Sequence, residues 1–335
     1  MQYAFLVFTR KGEELADFLA DSLGGLVHRC GPALSLMDWT AAHFDSSDAL
    51  IFVGAAGIAV RAIAPFVESK TTDPAVVVVD EAGRYAIPLL SGHLGGANDL
   101  AREIAALLGG EAVITTATDV RGVFAVDDWA RKQGCAVLRP ERIKVVSGRL
   151  LAGQTIRLWS KWEIAGRAPE GVVLCETPGT CDVALTVRRD DCDRQALLVV
   201  PRILVLGVGC RKGISADQLE QFFERFMAEN GYLAEGIRLV SSLDRKAEEP
   251  GLQAFCKTHA WPFETFRQAE LAALEGSFTA SSYVEQVTGL DNVCERSAVK
   301  GSGGELVCPK KAGEGITMAL AQAFFCPAWE EEQNG

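Results

Sequence analysis

The first 133 residues alternate continuous apolar runs with amphipathic segments. The runs "ALIFVG" (49–54) and "AVVVVD" (75–80) lack the polar alternation of a half-exposed strand, which predicts strands buried on both faces. Between such runs, apolar residues recur every three or four positions, and this spacing predicts helices. Buried strands that alternate with helices predict a mostly parallel sheet covered on both sides. The predicted strands span 3–9, 49–54, 75–80, 85–90 and 112–116, and the predicted helices span 13–23, 57–65, 98–110 and 123–133.

The rest of the chain divides into a middle segment and a second alternating region. Residues 134–202 show short β-like runs separated by Gly, Pro and charged residues, which predicts a small β-rich segment or an extended linker. The strand–helix alternation resumes over 203–327, and 328–335 form a short acidic tail. The predicted fold class is therefore α/β: two three-layer α/β/α domains, 1–133 and 203–327, with mostly parallel sheets, joined by the small β-rich middle segment. In the second region the predicted strands are 202–210, 237–242 and 262–266, and the predicted helices are 215–231, 248–260, 268–275 and 281–289.

Composition and charge narrow the class of protein. The chain has 335 residues, of which 48% are hydrophobic and 23% charged, and a formal net charge of −11. Nucleic-acid binding needs an excess of Lys and Arg, so this acidic balance argues against a nucleic-acid partner. The longest apolar run, 196–209, is interrupted by Pro201 and Arg202 and is too short to span a membrane. Because no basic leader precedes the first predicted strand, we expect a cytoplasmic protein that does not bind membranes.

The ten cysteines do not follow a metal-binding pattern. They are scattered between Cys30 and Cys326 with no C-x-x-C pair. Structural zinc needs ligands paired at short spacing, and the cytosol keeps scattered thiols reduced. We therefore expect free, mostly buried thiols, with neither a metal site nor a disulfide framework.

Three predicted strand-to-helix junctions are rich in glycine. They are "GAAGIAVR" (54–61), "LLSGHLGGAND" (89–99) and "GVGCRKGISADQ" (207–218). Glycine lets backbone N–H groups come close to a ligand, and a helix N-terminus carries partial positive charge, so each junction is a candidate anion site. The candidate binding residues here are Gly54, Gly57, Arg61, Ser91, Gly92, Gly95, Gly96, Asn98, Gly207, Gly209, Arg211 and Lys212.

The third junction is similar to a dinucleotide-binding fingerprint but differs in spacing. Its glycines follow G-x-G-x-x-x-G, one residue longer than the common form, and the next predicted strand ends near Asp244, beyond the expected place of a ribose-binding acid. Arg211 and Lys212 favour a carboxylate or phosphate partner instead. Ser215 and Gln218 form a predicted capping box for the following helix.

His93 is the candidate catalytic residue of the second junction. Histidine is the side chain whose ordinary pKa lies nearest neutrality, and His93 leads directly into a glycine pair and a helix N-terminus. The alternative is a loop histidine that is hydrogen-bonded to backbone.

Polar side chains that follow two other predicted strands add further candidates. Thr115, Thr116 and Asp119 end one strand and are expected to face the same crevice as His93, with capping of the next helix as an equal alternative. The stretch "SSLDRKAEEPG" (241–251) supplies Ser241, Asp244 and Lys246, for which an ordinary polar loop is the alternative.

Several long stretches of the chain carry a specific family pattern. "GAAGIAVRAIAPFVESKTTDPAVVVVDEAGRYAIPLLSGHLGGAND" and "VITTATD" lie in the first half, and "LVLGVGCRKGISADQL", "SSLDRKAEEPGL" and "GELVCPKKAGEGITMALA" lie in the second. Together they resemble the two domains of the cobalt-precorrin-5A hydrolase family of anaerobic cobalamin biosynthesis, over most of the chain outside 135–200. In "TASSYVEQVTG", Ala280 stands where the family's P-S-x-x-V pattern has proline, before Ser281 and Ser282.

The resemblance implies a hydrolase that acts on a carbon–carbon bond. Such an enzyme opens the ring A δ-lactone of cobalt-precorrin-5A and releases the two-carbon C20 unit as acetaldehyde, giving cobalt-precorrin-5B. The substrate is an anionic corrinoid that carries its own cobalt, so no further cofactor is expected. A non-catalytic corrinoid-binding or carrier protein is the alternative, and an NAD(P)-dependent reductase is a weaker one. A homodimer and transient contacts with other enzymes of the pathway are left open.

For this reaction we expect His93 to act as the general base on an attacking water. Backbone N–H groups of Gly95 and Gly96 would stabilise the oxyanion, and the nearby helix N-terminus would lower the pKa of His93. Asp119 and Asp244 are the reserve candidates for the base. We expect the active site in a crevice between the glycine-rich loops of the two domains. The substrate carboxylates are expected to meet Arg61, Arg211, Lys212 and Lys246.

Overall fold

The structure describes most of the chain. It is a computed structural model, which describes residues 2–69, 71–192, 195–280, 286 and 288–329. The predicted helix over 281–289 lies largely outside the described residues, and so does the acidic tail from 330 to 335. Ser281 and Ser282 also lie outside them, and their place in the family-like pattern stays a prediction.

The chain forms two compact units. The first contains the residues up to Lys132 together with Ile143–Thr155. The second contains Gln133–Arg142 and the residues from Ile156 onward. A short segment after the first domain thus belongs to the second unit, and the helix that follows it returns to the first.

The first unit contains a six-stranded sheet in the order β2-β1-β3-β4-β5-β6. All neighbouring strands are parallel except β4 and β5, which are antiparallel. The strands are β1 Tyr3–Val7, β2 Leu26–Arg29, β3 Ala49–Val53, β4 Ala75–Val79, β5 Tyr85–Leu90 and β6 Glu111–Ala112. The helices of this unit are α1 Arg10–Leu23, α2 Leu36–His43, α3 Ala56–Ile63, α4 Ala97–Leu108, α5 Ala117–Val120, α6 Val126–Lys132 and α7 Ile143–Leu151.

Helices cover both faces of this sheet. On one face Phe5 and Ile51 pack against Leu19 of α1 and the buried side of α4. On the other face Leu50 and Phe52 pack against α2 and α3. Because alternate strand residues point to opposite faces, the continuous apolar runs of β3 and β4 supply both cores. The prediction of buried, mostly parallel strands between two helical layers is confirmed.

Because strand β5 is antiparallel to β4, the glycine-rich junctions at 54–61 and 89–99 lie at opposite edges of the sheet. Val79 pairs with Ala86 and Val76 pairs with Leu90, so the end of β5 lies beside the start of β4. The junction at 54–61 follows β3, and it therefore opens at the opposite edge of the sheet from the junction at 89–99. Five residues of strand separate the two edges, about 16 Å at 3.3 Å per residue. These two junctions do not share one crevice.

The predicted strand over 112–116 is shorter than expected. Strand β6 ends at Ala112, and Val113 N–H donates one further bond to Ala86 O at 2.9 Å. The residues after it run into α5, whose first helical residue is Ala117. Thr115 and Thr116 thus lie in the connection rather than in the sheet.

The second unit contains two five-stranded sheets. The first has the order β7-β11-β10-β8-β9, with only the β7–β11 pair antiparallel. The β-rich middle segment of the predicted fold class is thus confirmed, and it is a sheet rather than an extended linker. Its strands are β7 Cys135–Leu138, β8 Ile156–Ser160, β9 Val172–Leu174, β10 Val183–Leu185 and β11 Leu197–Pro201.

The other sheet of this unit has the order β14-β13-β12-β16-β15. Strands β12, β13 and β14 are parallel, and β15 and β16 add an antiparallel hairpin. Leu206 faces the core formed with α8 and α9, which also contains Val200 of the middle sheet, whereas Val205 faces α11. The strands are β12 Leu204–Cys210, β13 Ile237–Leu243, β14 Phe263–Phe266, β15 Glu305–Gly313 and β16 Ile316–Gln322, and the helices are α8 Ala216–Asn230, α9 Pro250–Thr258, α10 Gln268–Ala272 and α11 Cys294–Ser302.

Two further sequence predictions concern membranes and cysteines. Among the helices of the described residues, none has both the length and the apolar character needed to cross a bilayer.

The ten cysteines are free thiols, and only Cys326 is exposed. Burial raises the pKa of the Cys256 thiol to about 12, so this thiol is unreactive near neutral pH.

Candidate active site

The loop that carries His93 is folded tightly onto itself. Ser91 has a φ of 55° and Gly96 a φ of 81°, so the loop enters and leaves through left-handed conformations. The Ser91 hydroxyl donates to Asp73 O at 2.9 Å, which ties the loop to the start of β4. A Cβ at Gly95 would overlap the Ser91 side chain. The glycines of this junction are therefore required by the loop's own packing.

The same turn uses backbone donors that we expected to bind substrate. Gly96 N–H donates to His93 O at 2.9 Å, and Asn98 N–H donates to Gly92 O at 3.0 Å. A Cβ at Gly92 would lie 2.8 Å from the Asn98 amide oxygen, so this glycine makes room for a buried side chain. The expectation that the Gly96 N–H stabilises an oxyanion is wrong in this structure, because the group is already bonded within the loop.

The loop places the His93 ring between two carboxylates. His93 Nε2 lies 2.8 Å from Asp119 Oδ2. His93 Nδ1 lies 3.4 Å from Asp127 Oδ1, which is long for a hydrogen bond but close for an ion pair. The side chains of His93, Asp119 and Asp127 are 13%, 17% and 7% exposed. The backbone-bonded alternative for His93 is not what the structure shows, because its ring contacts side chains.

The two carboxylates reverse the pKa shift that we expected for His93. Burial alone would lower the pKa, but Asp127 and Asp119 outweigh it and raise the pKa to about 9. A helix terminus contributes only about 0.3–1 kcal/mol, whereas one nearby opposite charge shifts a pKa by about 1–3 units. The predicted lowering was wrong because the sequence did not show how closely the carboxylates approach. His93 is an imidazolium at neutral pH, so it is a proton donor there and not a free base.

Asp119 is held from three sides. Arg102 of α4 binds its Oδ1, while the Asn98 amide donates to its Oδ2 at 3.1 Å. The Asn98 amide also donates to Thr116 Oγ at 3.1 Å. Burial would raise the pKa of Asp119, but His93 and Arg102 lower it, so this carboxylate stays ionised. Asn98, Thr116 and Asp119 thus gather beside His93 as predicted, whereas Thr115 is exposed.

Further ion pairs join this cluster to helix α6. Asp99 binds Arg102 at 2.8 Å and also binds Arg131. Asp128 binds Arg131 at 3.0 Å and Lys132 at 2.8 Å. Together with His93, Asp119 and Asp127, these side chains form a network with as many cationic as anionic members.

No group of His, Cys, Asp and Glu in the described part of the chain is arranged to hold a metal ion.

Sequence reasoning missed Asp127 and Arg102. Asp127 falls in the predicted helix over 123–133, and Arg102 falls in the predicted helix over 98–110. Acidic residues in a first helical turn and basic residues on a helix surface are common, so neither carries a local signal. The available signal for Arg102 was its place three residues after Asp99 on the helix that begins at the glycine pair.

The junction at 54–61 has a cavity of its own. The cavity has a volume of about 460 Å³ and lies at the ends of β1, β3 and β4. Gly54 lines it, and Arg61 is exposed on α3. These candidate residues are not brought to His93, because they lie at the other edge of the sheet. The residues around the cavity are Phe8, Thr9, Gly54, Ala55, Ile58, Asp80 and Glu81.

In the second unit, Gly207 and Ser241 are covered by helix α11. A Cβ at Gly207 would overlap the carbonyl oxygen of Cys294. Ser241 is fully buried, and its carbonyl oxygen accepts a bond from the Ser297 hydroxyl at 3.3 Å. Both were predicted to bind substrate, and both predictions are wrong because the helix occupies the space above them.

The other candidates of the second unit surround a well-anchored loop. Lys246 Nζ lies 3.0 Å from Glu249, which accepts Gly213 N–H at 2.6 Å. These contacts fix the loop after β12 and lower the pKa of Glu249, and the hydrogen bond from Gly213 N–H is the largest cause of that lowering. Arg211 donates to Glu314 O at 3.2 Å.

The remaining candidates of this loop region are exposed or packed beside it. Lys212 and Asp244 are exposed. Gly209 packs against Thr317, whose hydroxyl donates to Gly209 O at 3.2 Å. The capping box of Ser215 and Gln218 is confirmed. The crevice predicted between the two halves of the chain stays a prediction.

Sequence comparisons cover the chain in three consecutive regions. Residues 38–119 match the family described as Cobalamin synthesis G N-terminal. Residues 124–201 match Cobalamin biosynthesis central region, and residues 204–321 match Cobalamin synthesis G C-terminus. The first region contains β3 to β6, the second contains the strands of the middle sheet, and the third contains all but the last residue of the final sheet. Together they define a protein of the cobalamin synthesis G class.

Two curated relatives make the assignment more specific. The Cobalt-precorrin-5A hydrolase of Salmonella typhimurium is 34% identical over 84% of this chain and 83% of its own length. The Cobalt-precorrin-5A hydrolase of Priestia megaterium is 31% identical over 83% of this chain and 79% of its own length. The chain belongs to the cobalt-precorrin-5A hydrolase family. A crystal structure of a cobalamin biosynthesis protein G homolog from Sulfolobus solfataricus is 21% identical, covers 96% of this chain and 97% of that chain, and gives a TM-score of 0.42.

Proposed function

We propose that this chain is a cobalt-precorrin-5A hydrolase. It opens the ring A δ-lactone of its substrate and releases the C20 unit as acetaldehyde, so that a carbon–carbon bond is cleaved. The observation that carries the proposal is the match to two curated hydrolases over more than four fifths of this chain. The cluster around His93 supports it, because it offers both a proton donor and a positive charge.

His93 takes the role of proton donor in the lactone step. The imidazolium can stabilise negative charge on the lactone oxygens, and a charge placed in this way commonly supplies a large part of an acyl-transfer rate. Water provides OH to the carbonyl carbon, and the departing C20 oxygen receives the proton of His93, which regains one from the water. Asp119 stays ionised and orients the imidazolium, so we do not assign it the base function expected from the sequence.

The carbon–carbon step follows from the freed C20 hydroxyl. This oxygen gives its proton to solvent water and becomes the carbonyl oxygen of acetaldehyde as the bond to the ring carbon breaks. The electron pair of that bond passes to the macrocycle, which delocalises it.

We also propose that the substrate is an anionic corrinoid whose cobalt arrives with it. Lys212 and Arg211 lie exposed on the loop after β12, where they can meet substrate carboxylates. The reaction needs no separate cofactor and no nucleic acid, and we place it in the cytoplasm. A homodimer and contacts with neighbouring enzymes of the pathway stay open.

A corrinoid carrier is the second candidate function. The observation that favours it is the closed ion-pair network, in which His93 and Asp119 already have partners. A carrier would bind cobalt-precorrin-5A and return it unchanged. Incubation of the purified chain with cobalt-precorrin-5A under anaerobic conditions separates the two functions. The hydrolase releases one acetaldehyde for each corrinoid consumed, whereas binding without acetaldehyde would identify a carrier and overturn the proposed function.

A further inference from the structure

Both nitrogens of the His93 ring face a carboxylate oxygen. Nε2 lies 2.8 Å from Asp119 Oδ2, and Nδ1 lies 3.4 Å from Asp127 Oδ1. The carboxylates belong to different helices, α5 and α6. All three side chains are largely buried, so water screens these interactions only weakly. The ring is therefore hydrogen-bonded to Asp119 at one nitrogen and forms an ion pair with Asp127 at the other.

This arrangement fits only one protonation state of the ring. A neutral imidazole has one N–H and one acceptor nitrogen, whereas an ionised carboxylate only accepts. A neutral His93 would therefore point a lone pair at one of the two carboxylates. The imidazolium carries an N–H at both nitrogens, so it donates a hydrogen bond to Asp119 and presents its positive charge to Asp127.

We propose that Asp127 is a positioning residue whose charge holds His93 in its doubly protonated form and thereby keeps it ready to give a proton to the lactone oxygen. The inference rests on the proposed function, in which His93 carries that proton. Asp127 acts through His93 and does not itself touch substrate.

Charged groups from three helices act on the His93 ring. Asp119 and Thr118 face the ring from α5, and Asp127 faces it from α6. From α4, Arg102 acts on the ring through Asp119. Because Arg102 draws on the same carboxylate, the attraction of Asp119 for the imidazolium is partly offset. Asp127 places a second negative charge beside the other ring nitrogen.

The test is a titration of His93 by NMR in protein labelled with ¹⁵N-histidine. The chain has only 4 histidines, so a His93→Gln variant assigns the resonance. We expect wild-type His93 to show two protonated nitrogens at pH 7.5, and Asp127→Asn to lower its titration midpoint by about one pH unit or more. Asp128→Asn is the matched control, because Asp128 is adjacent on α6 but binds Arg131 and Lys132. Asp127→Glu should keep the high midpoint.

A neutral His93 in the wild-type protein at pH 7.5 would overturn the inference even if the Asp127→Asn variant did not fold. Equal titration midpoints in Asp127→Asn and Asp128→Asn would overturn it as well. In turnover, Asp127→Asn should lose more activity at pH 8 than at pH 6, and Asp127→Glu should restore it. The titration needs no substrate. Failure of the wild-type chain to release acetaldehyde would therefore count against the proposed function, separately from the NMR result.

Discussion

Gly207 lies directly beneath the carbonyl group of Cys294. A Cβ at position 207 would overlap that oxygen, and this close approach lets helix α11 pack onto strand β12. The first glycine of the "GVGCRKG" stretch therefore serves helix packing, in a place where the sequence suggested an anion site.

The Gly207→Ala change is expected to destabilise the protein. Overpacking of this kind costs about 1–3 kcal/mol, because the helix backbone must move. Urea denaturation measures the loss in free energy of unfolding. Gly179→Ala is the control in the same unit, since a Cβ there meets nothing within 4 Å. A Gly207→Ala variant as stable as this control would contradict the packing role.

The stability of the protein should depend on the charge of His93 at alkaline pH. The pKa of His93 rises to about 9 in the folded protein, above its ordinary value of 6.5. The stabilisation is therefore fully present below pH 6.5 and is lost as the pH rises through about 9, a decrease of about 1–3 kcal/mol. Asp119 has a lowered pKa and titrates in the acid range, so it does not contribute here. Denaturation curves between pH 6 and 10 should show the decrease in wild type and not in His93→Gln.

Ser241→Ala should leave substrate binding unchanged and should not lower the stability of the protein. The Ser241 hydroxyl is buried and has no hydrogen-bond partner among the described residues, so its removal breaks no bond. An unsatisfied buried hydroxyl costs about 1–3 kcal/mol, and the variant should therefore be at least as stable as wild type. Thermal unfolding and the Kd for cobalt-precorrin-5A check the two expectations. A large increase in Kd would return Ser241 to the substrate site.

Corrinoid binding should weaken when the cations of the loop after β12 are removed. We expect the Arg211→Ala, Lys212→Ala double variant to raise the Kd by about ten- to a hundredfold, because each charged hydrogen bond contributes about 1.5–3 kcal/mol before exposure is discounted. The effect should shrink as salt rises. Arg225→Ala is the control, since Arg225 forms an exposed ion pair with Glu314. Equal Kd values for wild type and the double variant would place both cations on an ordinary solvated surface.

The sequence was informative where residues are close along the chain or where strands follow a regular pattern. Buried apolar runs predicted β3 and β4, and the polar residues that end or follow the strand over 112–116 predicted that Thr116 and Asp119 lie near His93. The direction of β5 decides which junctions share an edge, and it depends on strand pairing that no local pattern reveals. Asp127 reaches His93 from a helix that is 34 residues later in the chain. Its effect on the pKa of His93 comes from tertiary packing, which the hydrophobic periodicity of the sequence cannot predict.

Single-turnover acetaldehyde release, measured as a function of pH, tests directly whether His93 acts as an imidazolium. We expect a wild-type rate that is steady from about pH 6.5 to 8 and falls as the pH passes about 9, where His93 loses its proton. At pH 7, His93→Gln should lose about 10²–10⁴ in rate while still binding corrinoid. A wild-type rate that rises between pH 6 and 7 and stays high above pH 9 would show that a neutral base catalyses the reaction. That result would contradict the role of His93 as an imidazolium.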